Sequence, residues 1–476
     1  MADKISIKKE DKHAEWYVQV ITKSNLISYT NVSGCYILKP RAYAIWENIK
    51  KHLSLEFKKR NVQEAYFPLL IPENLLTKEK EHVEGFNPEV AWVTESGNSK
   101  LSERLAIRPT SETIIYDSYS KWISSYNDLP LKMNQWCNIV RWEFNNPIPF
   151  IRSREFLWQE GHTVFSTKKD AEEEVYDILS TYKKLFEEVL AIPVFEGRKS
   201  EREKFAGAEF TLSIETFLPV GKGIQSATSH HLGTNFSKAF NIRFKDKDEE
   251  NKFAWQNSWG LSTRAIGVMI MMHSDNKGLV MPPKIAWPQI AIVPIITNET
   301  KDDILNECEK IKDSLIEYVV EIDSRDQYTP GWKFNYWEMQ GVPLRIEIGP
   351  RDVERGEVIL VRRDNKEKKI IKKEDLNIEV ANILDKIQQN LFIKAKNFIE
   401  SNKIKVNSFE EFINEIKNKK IIEAFWCGEP SCEEDIKFRS KGAKSLNIPF
   451  KQEASLEKCI FCDEKAKYKA LFAKSY

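Results

Sequence analysis

Two strand-like segments, 132–143 and 156–165, flank one short loop, 144–154, that contains Pro and Asn. Strand patterns on both sides of turn residues predict an antiparallel hairpin. The loop-side ends of these strands are charged. Arg141 and Glu143 end the first; Arg152, Arg154 and Glu155 open the second. A further arginine, Arg264, follows Gly260-Leu-Ser-Thr. Arginine suits a bidentate grip on phosphate oxygens, so arginines flanking a hairpin could span a triphosphate. Ordinary surface arginines are the plainer alternative, and charge alone leaves both open. Neither G-x-x-x-x-G-K-[ST] nor G-x-G-x-x-G occurs, so neither common nucleotide-binding fold is supported.

A chain of 476 residues is too long for one core, and two to four domains are expected. Before the hairpin, Trp46, Ile49, Leu53 and Phe57 recur at helical spacing over 40–60, with Pro40 in the first turn. An apolar, aromatic stretch at 64–72 reads as a strand, and 84–94 as a loop around Gly85 and Pro88. After the hairpin, Thr167 can cap a helix whose face carries Val175, Ile178, Leu179, Tyr182, Phe186 and Val189, ended by Pro193. Strand and turn signals continue through 208–244, a charged loop follows at 245–252, and 259–272 is a mixed strand-to-helix signal. At Pro288 the pattern changes. The continuous apolar run 290–295 is typical of a strand buried on both faces. Helical stretches at 301–315 and from Pro330 alternate with strands at 318–322, 344–348 and 357–362, which implies a compact α/β unit. A helical pattern over 380–398 leads into a cysteine-bearing tail. The expected boundaries are 1–285, 286–390 and 391–476.

The net charge of +1 argues against a uniformly basic nucleic-acid binder. One local run does not average out. Arg362, Arg363, Lys366, Lys368, Lys369, Lys372 and Lys373 face only Asp364 and Glu367 within the segment. It is either a binding patch or a solvated strand pair. Cys35, Cys137 and Cys308 are isolated. Cys427-x₄-Cys432 and Cys459-x₂-Cys462 are two close pairs that can complete a tetrahedral Cys₄ zinc site with no open position, hence structural. Reduced thiols are the alternative. Residues 1–15 lack an apolar leader core, and the apolar run 267–272 is too short to span a bilayer. A soluble cytoplasmic protein is expected.

The order of these segments resembles class II aminoacyl-tRNA synthetases. Arg141-x-Glu143, the loop, Arg152-x-Arg154-Glu155-Phe156 and the later Gly260…Arg264 are similar to the second and third signature motifs of that class. The helix and strand ending near Pro68 resemble the first, which forms its dimer interface. Arg108-Pro109-Thr110-Ser111-Glu112, Gly85-Phe86-Asn87-Pro88-Glu89-Val90, Ala227-Thr228-Ser229-His230-His231-Leu232-Gly233 and Trp255-Gln256-Asn257-Ser258-Trp259-Gly260 resemble segments of prolyl-tRNA synthetases of the archaeal and eukaryotic type. The likeness runs from about Asp11 to Tyr476.

The resemblance implies an α/β (α+β) chain: a class II catalytic domain on an antiparallel sheet, an α/β anticodon-binding domain and a small C-terminal zinc-binding domain. It implies activation of L-proline by ATP with Mg²⁺, transfer to tRNA(Pro), a homodimer paired through 40–72, and structural Zn²⁺ on Cys427, Cys432, Cys459 and Cys462. Arg141, Arg152 and Arg264 are the implied catalytic arginines. ATP would be held by Arg141, Glu143, Arg152, Phe156, Gln225, Thr228 and Arg264. Proline would be held by Thr110, Glu112, Arg141, Trp158, Glu160, His162, Phe205, His230, Ser258 and Gly260. Lys333, Glu338, Arg351 and Asp352 fall where the family reads the anticodon. Similar chains end in a tyrosine whose carboxylate approaches the active site. No room is seen for the editing insertion of bacterial-type enzymes, so any correction of mischarged tRNA would need a separate hydrolase acting in trans. Two rivals remain: another class IIa synthetase such as the threonyl type, whose active-site cysteine is absent near Thr110 and Ser111, and a non-enzymatic synthetase-like tRNA-binding protein, which usually loses the arginines kept here.

Overall fold

The computed structural model describes residues 4–82, 89–143, 145–297, 299–452 and 457–476. The expected helix over 40–60 is α1, Pro40–Lys59. Its buried stripe of Ile45, Trp46, Ile49, Leu53 and Phe57 packs into the largest core cluster. The expected strand over 64–72 forms as two short strands in different sheets. β1, Gln63–Glu64, joins the main sheet, whereas Leu70–Pro72 joins a three-stranded sheet with Trp92–Ser96 and Ser99–Ile107. Pro68 has no N–H to give a ladder, which favours a break there. Helix α2, Glu112–Trp122, follows.

The hairpin forms as expected: β2, Leu131–Val140, and β3, Glu155–Phe165, pair antiparallel from Leu131↔Val164 to Val140↔Glu155. Thr167 caps helix α3, Lys168–Lys184, by accepting the Asp170 N–H. The strands β4, Phe195–Arg198, β5, Phe210–Leu218, β6, Lys222–Gly233, and β7, Trp255–Ser262, extend the sheet, and helix α4, Arg264–His273, leaves its end. Beneath the sheet, Trp259 crosses under Gly161. A Cβ on that glycine would lie 2.1 Å from the indole ring, so only glycine lets the two strands pair there.

Residues after Pro288 build a separate five-stranded sheet in the order 320–322, 290–294, 344–348, 357–362, 368–372. Its first three strands are parallel and its last two antiparallel. Helix α5, Leu376–Ser401, spans two cores. Val380, Ile387 and Leu391 pack in the α/β unit, whereas Ala395 and Ile399 pack in the main core. The expected boundary at 390 therefore falls inside one continuous helix.

The tail adds β8, Lys403–Lys405, β9, Ile421–Trp426, β10, Ala443–Pro449, and β11, Tyr468–Lys474. They do not stand apart. β10 pairs with β4 through Ile448↔Arg198 and Pro449↔Gly197. One sheet thus runs β8-β9-β11-β10-β4-β5-β6-β7-β3-β2-β1. Among the described residues no helix is long and apolar enough to cross a membrane.

Candidate active site

The register of the main sheet assembles the site. Side chains alternate faces along a strand, so Phe156, Trp158, Glu160 and His162 of β3 share one face. Across from them, β7 presents Ser258 and Gly260, paired with His162 and Glu160. β6 presents His230 and Thr228, paired with Ser258 and Gly260. β5 continues the rows with Thr211 and Ser213. Gln225 is odd against Thr228 and His230 in simple alternation. A bulge after Ile214 pairs Ala227 with Ile214 and Gln225 with Glu215, leaving Ser226 over. One extra residue reverses the parity beyond it, and Gln225 turns to the same face.

Fourteen of the sixteen residues expected to hold ATP or proline line one cavity of about 250 Å³ on this face: Thr110, Glu112, Arg141, Phe156, Trp158, Glu160, His162, Phe205, Gln225, Thr228, His230, Ser258, Gly260 and Arg264. Arg152 lines an adjoining cavity of about 130 Å³ that shares Glu203, Gln225 and Arg264 with the first. Glu143 is exposed just beyond β2, and its charge acts on Arg141. Glu203, Thr211, Ser226, Ala227, Trp259, Leu261 and Ser262 complete the lining; none of them was expected as a site residue from sequence. For Ser262 the signal was available, since it continues the Ser258–Gly260 alternation. Of the expected proline-binding loop, 85–90, all but Glu89 and Val90 lies outside the described residues.

At one end the cavity is closed by a buried polar network. Glu160 accepts hydrogen bonds from Ser111 and Gln135 on one oxygen and meets the His162 Nε2 at 3.0 Å on the other. His162 Nδ1 lies 3.0 Å from the Tyr116 hydroxyl. Burial works against both charges. The hydrogen bonds outweigh it, holding the Glu160 carboxyl below its ordinary value and the His162 imidazole above its own. The pair is an ion pair, not a free base. Thr110 donates to Glu112 beside it. His230 is pushed down to about 3 by burial and by His162, so it is neutral. Its Nδ1 lies 2.9 Å from Thr211 Oγ1 and its ring 4.7 Å from Phe205.

The other end is cationic. Arg141 donates to the Pro109 carbonyl and lies over the Phe156 and Trp158 rings at 5.9 and 5.6 Å. Arg264 donates to the Ile151 and Gln225 carbonyls. Burial, with Arg141 and Arg152 nearby, lowers the Arg264 guanidinium to about 10. It stays charged, in a place that favours an anion. The chain's last residue, Tyr476, bonds Gly223 through its backbone and lines the adjoining cavity.

In the α/β unit the expected anticodon residues fare differently. Lys333 is buried and donates to the Asp323 carbonyl. The Asp352 carboxylate accepts the Gly349 N–H at the start of a short helix. Lys333 is thus engaged inside the protein and Asp352, half-buried, at a helix start, whereas Arg351 is exposed. Glu338 lines a cleft of about 220 Å³ with Phe334, Arg345 and Lys368; of these, Lys368 belongs to the basic run, and Phe334 and Arg345 were not singled out from sequence. The basic run is neutralised: Arg362 pairs with Asp364 and Glu367, Arg363 with Asp275, Lys366 with Glu338, Lys368 with Glu347, Lys369 with Glu379, Lys372 with Glu357 and Lys373 with Glu307. Most of those acids lie outside the run, so local composition overstated its charge.

In the tail, the sulfurs of Cys427, Cys432, Cys459 and Cys462 lie within 4.8 Å of one another, with Cys432–Cys459 and Cys427–Cys462 both at 3.7 Å. Four thiolates about 2.3 Å from one tetrahedral ion would stand about 3.8 Å apart. The donor set and spacing fit zinc.

Comparison with known proteins agrees with this layout. Residues 92–273 match the tRNA synthetase class II core domain (G, H, P, S and T). Residues 289–390 match an anticodon binding domain, and 409–476 the prolyl-tRNA synthetase C-terminal domain. The chain is 50% identical to the cytoplasmic proline–tRNA ligase of Arabidopsis thaliana, covering 99% of this chain and 91% of that one. It is 48% identical to the proline–tRNA ligase of Alkaliphilus oremlandii over 97% and 96% of the two chains. The crystal structure of prolyl-tRNA synthetase from Cryptosporidium parvum, complexed with halofuginone and AMPPNP, superposes with a TM-score of 0.95 at 50% identity, over 99% of this chain and 97% of that one.

Proposed function

This chain belongs to the prolyl-tRNA synthetases of class II, and from that membership we propose how its residues divide the work of proline–tRNA ligation. The reaction has two steps: L-proline and ATP give prolyl-adenylate and pyrophosphate, and the prolyl group then passes to the 3′-terminal adenosine of tRNA(Pro). The observation that carries the assignment is the single cavity with a polar, carboxylate-bearing end and an arginine-bearing end, lined by Thr110, Glu112, Glu160 and His162 at one and Arg141 and Arg264 at the other.

Proline lies at the carboxylate end. Its secondary ammonium has two N–H donors, which Thr110 and Glu112 accept. Trp158, Glu160, His162, Phe205, His230, Ser258 and Gly260 enclose the ring. The proline carboxylate is already ionised, so activation needs no general base, and the Glu160–His162 pair serves shape and charge balance. Arg141 holds both the proline carboxylate and the α-phosphate and stabilises charge as the phosphorus is attacked. Phe156 and Arg264 take the two faces of adenine, Glu143 accepts from its amino group, Gln225 and Thr228 contact the nucleoside, and Arg152 holds the γ-phosphate. Mg²⁺ enters with ATP as part of the substrate. Catalysis is then positioning and charge stabilisation.

The 220 Å³ cleft around Phe334, Glu338, Arg345 and Lys368 supports anticodon reading, since an aromatic floor with Arg, Lys and Glu edges suits an unstacked base. Arg351 is exposed beside it in sequence, while Lys333 and Asp352 act by holding the fold. The four cysteines hold a structural zinc that cross-links the tail. The enzyme works in the cytoplasm as a homodimer paired through 40–72. Purified protein tested for ATP–pyrophosphate exchange with each amino acid should respond to proline; threonine-dependent exchange, or none, would reject the reading.

A further inference from the structure

Behind Arg264 the adjoining cavity holds a buried ion pair to which neither the sequence reading nor the mechanism assigns a role. Lys199, just beyond β4, donates to Glu215 of β5 at 3.1 Å, and both side chains are almost wholly buried. The same ammonium donates to the Leu446 carbonyl of β10 at 2.7 Å. β10 belongs to the C-terminal segment, so this contact exists because that segment is part of the main sheet. Glu215 lies in register with Gln225 beyond the bulge, and Gln225 donates no side-chain contact to it but offers its carbonyl to Arg264. Glu215 and Arg264 line the same cavity.

Arg264 itself donates to two neutral carbonyls and sits near two like charges, Arg141 and Arg152. Glu215 is the carboxylate whose charge acts on it. A buried arginine facing both an internal carboxylate and an incoming polyphosphate has two competing partners, and a desolvated Arg–carboxylate bond is a strong competitor. The Lys199 ammonium occupies one oxygen of that carboxylate and neutralises its charge.

We propose that Lys199 is a positioning residue for adenylate formation: by pinning Glu215 against the Leu446 carbonyl, it keeps Arg264 available to the nucleotide. Without the lysine, Glu215 would take Arg264 for itself and would also repel the phosphates. The C-terminal strand β10 thereby contributes to the nucleotide site through one backbone carbonyl.

This inference rests on the reading of Arg264 as a nucleotide contact, so the test carries Arg264→Ala alongside. Proline-dependent ATP–pyrophosphate exchange is measured on the full-length protein, with KM for ATP and for proline determined separately. Lys199→Met should raise KM for ATP about tenfold and leave KM for proline within about twofold. Lys199→Met/Glu215→Gln removes the competing charge together with its partner and should bring KM for ATP back to within about threefold of wild type. A purely structural pair would make the double variant no better than the single. The inference fails if Lys199→Met leaves KM for ATP unchanged while Arg264→Ala raises it, or if both KM values rise together. If Lys199→Met does not fold, the double variant decides alone: a tenfold higher KM for ATP there overturns the proposal, and a near-normal value supports it. Should Arg264→Ala itself leave KM for ATP untouched, the nucleotide reading of Arg264 has failed, and this inference with it.

Discussion

At the scale of single residues, the members of the cavity were implied by the family resemblance, and strand alternation accounts for why they meet. Positions 156, 158, 160 and 162, and 258 and 260, alternate in the sequence and can only share a face. What could not be read was burial. Lys333 falls where the family reads the anticodon, but the side chain is buried and its ammonium donates to the Asp323 carbonyl. Nor could a bulge be read that turns Gln225 toward Thr228. Two predictions belong here. Arg141→Ala should reduce proline-dependent pyrophosphate exchange about 10²–10³-fold, the usual cost of one charge-stabilising donor; near-normal exchange would remove the role assigned to it. The second concerns the Glu160–His162 pair. The lowered carboxyl contributes stability above its ordinary 4.5 and loses it as pH falls through its folded value. The raised imidazole contributes below its ordinary 6.5 and loses it as pH rises through its folded value. The destabilisation caused by Glu160→Gln should therefore be largest between about pH 4.5 and 6.5. Denaturation midpoints of both proteins from pH 4 to 9 test this, and a difference that does not vary with pH would refute it.

At the scale of elements, the hairpin, the capped helix α3 and the α/β alternation after Pro288 were all legible because each follows a local rule of periodicity, capping or turn chemistry. The pairing of β10 with β4 was not, since it joins residues about 250 apart and nothing in either strand names its partner. The same holds for α5, whose apolar stripe gives no sign that its two ends enter different cores. These long-range contacts change what loss of the proposed zinc should do. The cysteine cage clamps the Cys432 helix, Pro430–Arg439, whose Glu433 accepts from the Ser445 hydroxyl of β10. Zinc analysis should give about one ion per chain, and Cys459→Ser should release it. Because structural metal binding supplies local folding free energy, hydrogen exchange in that variant should accelerate over 421–449 and 468–474, while the five-stranded sheet keeps wild-type protection. Protein prepared without chelators that contains no zinc, or uniform exchange across both sheets, would count against the cage.

At the scale of the whole molecule, exposed apolar side chains gather near the segment that resembles the family's dimer motif: Tyr66 is 70% exposed and Trp122 50% exposed, with Leu70 between the two in the chain. Sedimentation at micromolar concentration should give a dimer, and Tyr66→Asp/Trp122→Asp should shift it toward monomer; a monomeric wild type would refute the pairing. The same scale decides fidelity. A pocket shaped for proline cannot exclude alanine by clash. It can only withhold the binding free energy of the missing methylenes, about 1–3 kcal/mol each, so alanine should be activated and transferred at a detectable rate. Clearing that error needs a second, hydrolytic site. Bacterial-type relatives often carry one as a large insertion between the second and third motifs. Here residues 161–260 are taken up by the end of β3, by α3 and its last turn, by β4 to β7, and by the short helix and two-stranded ribbon between β6 and β7. Every one of these packs on, or connects strands of, the same sheet, and no separate folded unit intervenes. Deacylation should therefore depend on another protein. Alanyl-tRNA bearing the proline anticodon, incubated with this enzyme alone, should decay at its spontaneous rate; enzyme-dependent hydrolysis above that rate would show that the synthetic cavity, or a site hidden within the sheet's surface, edits after all.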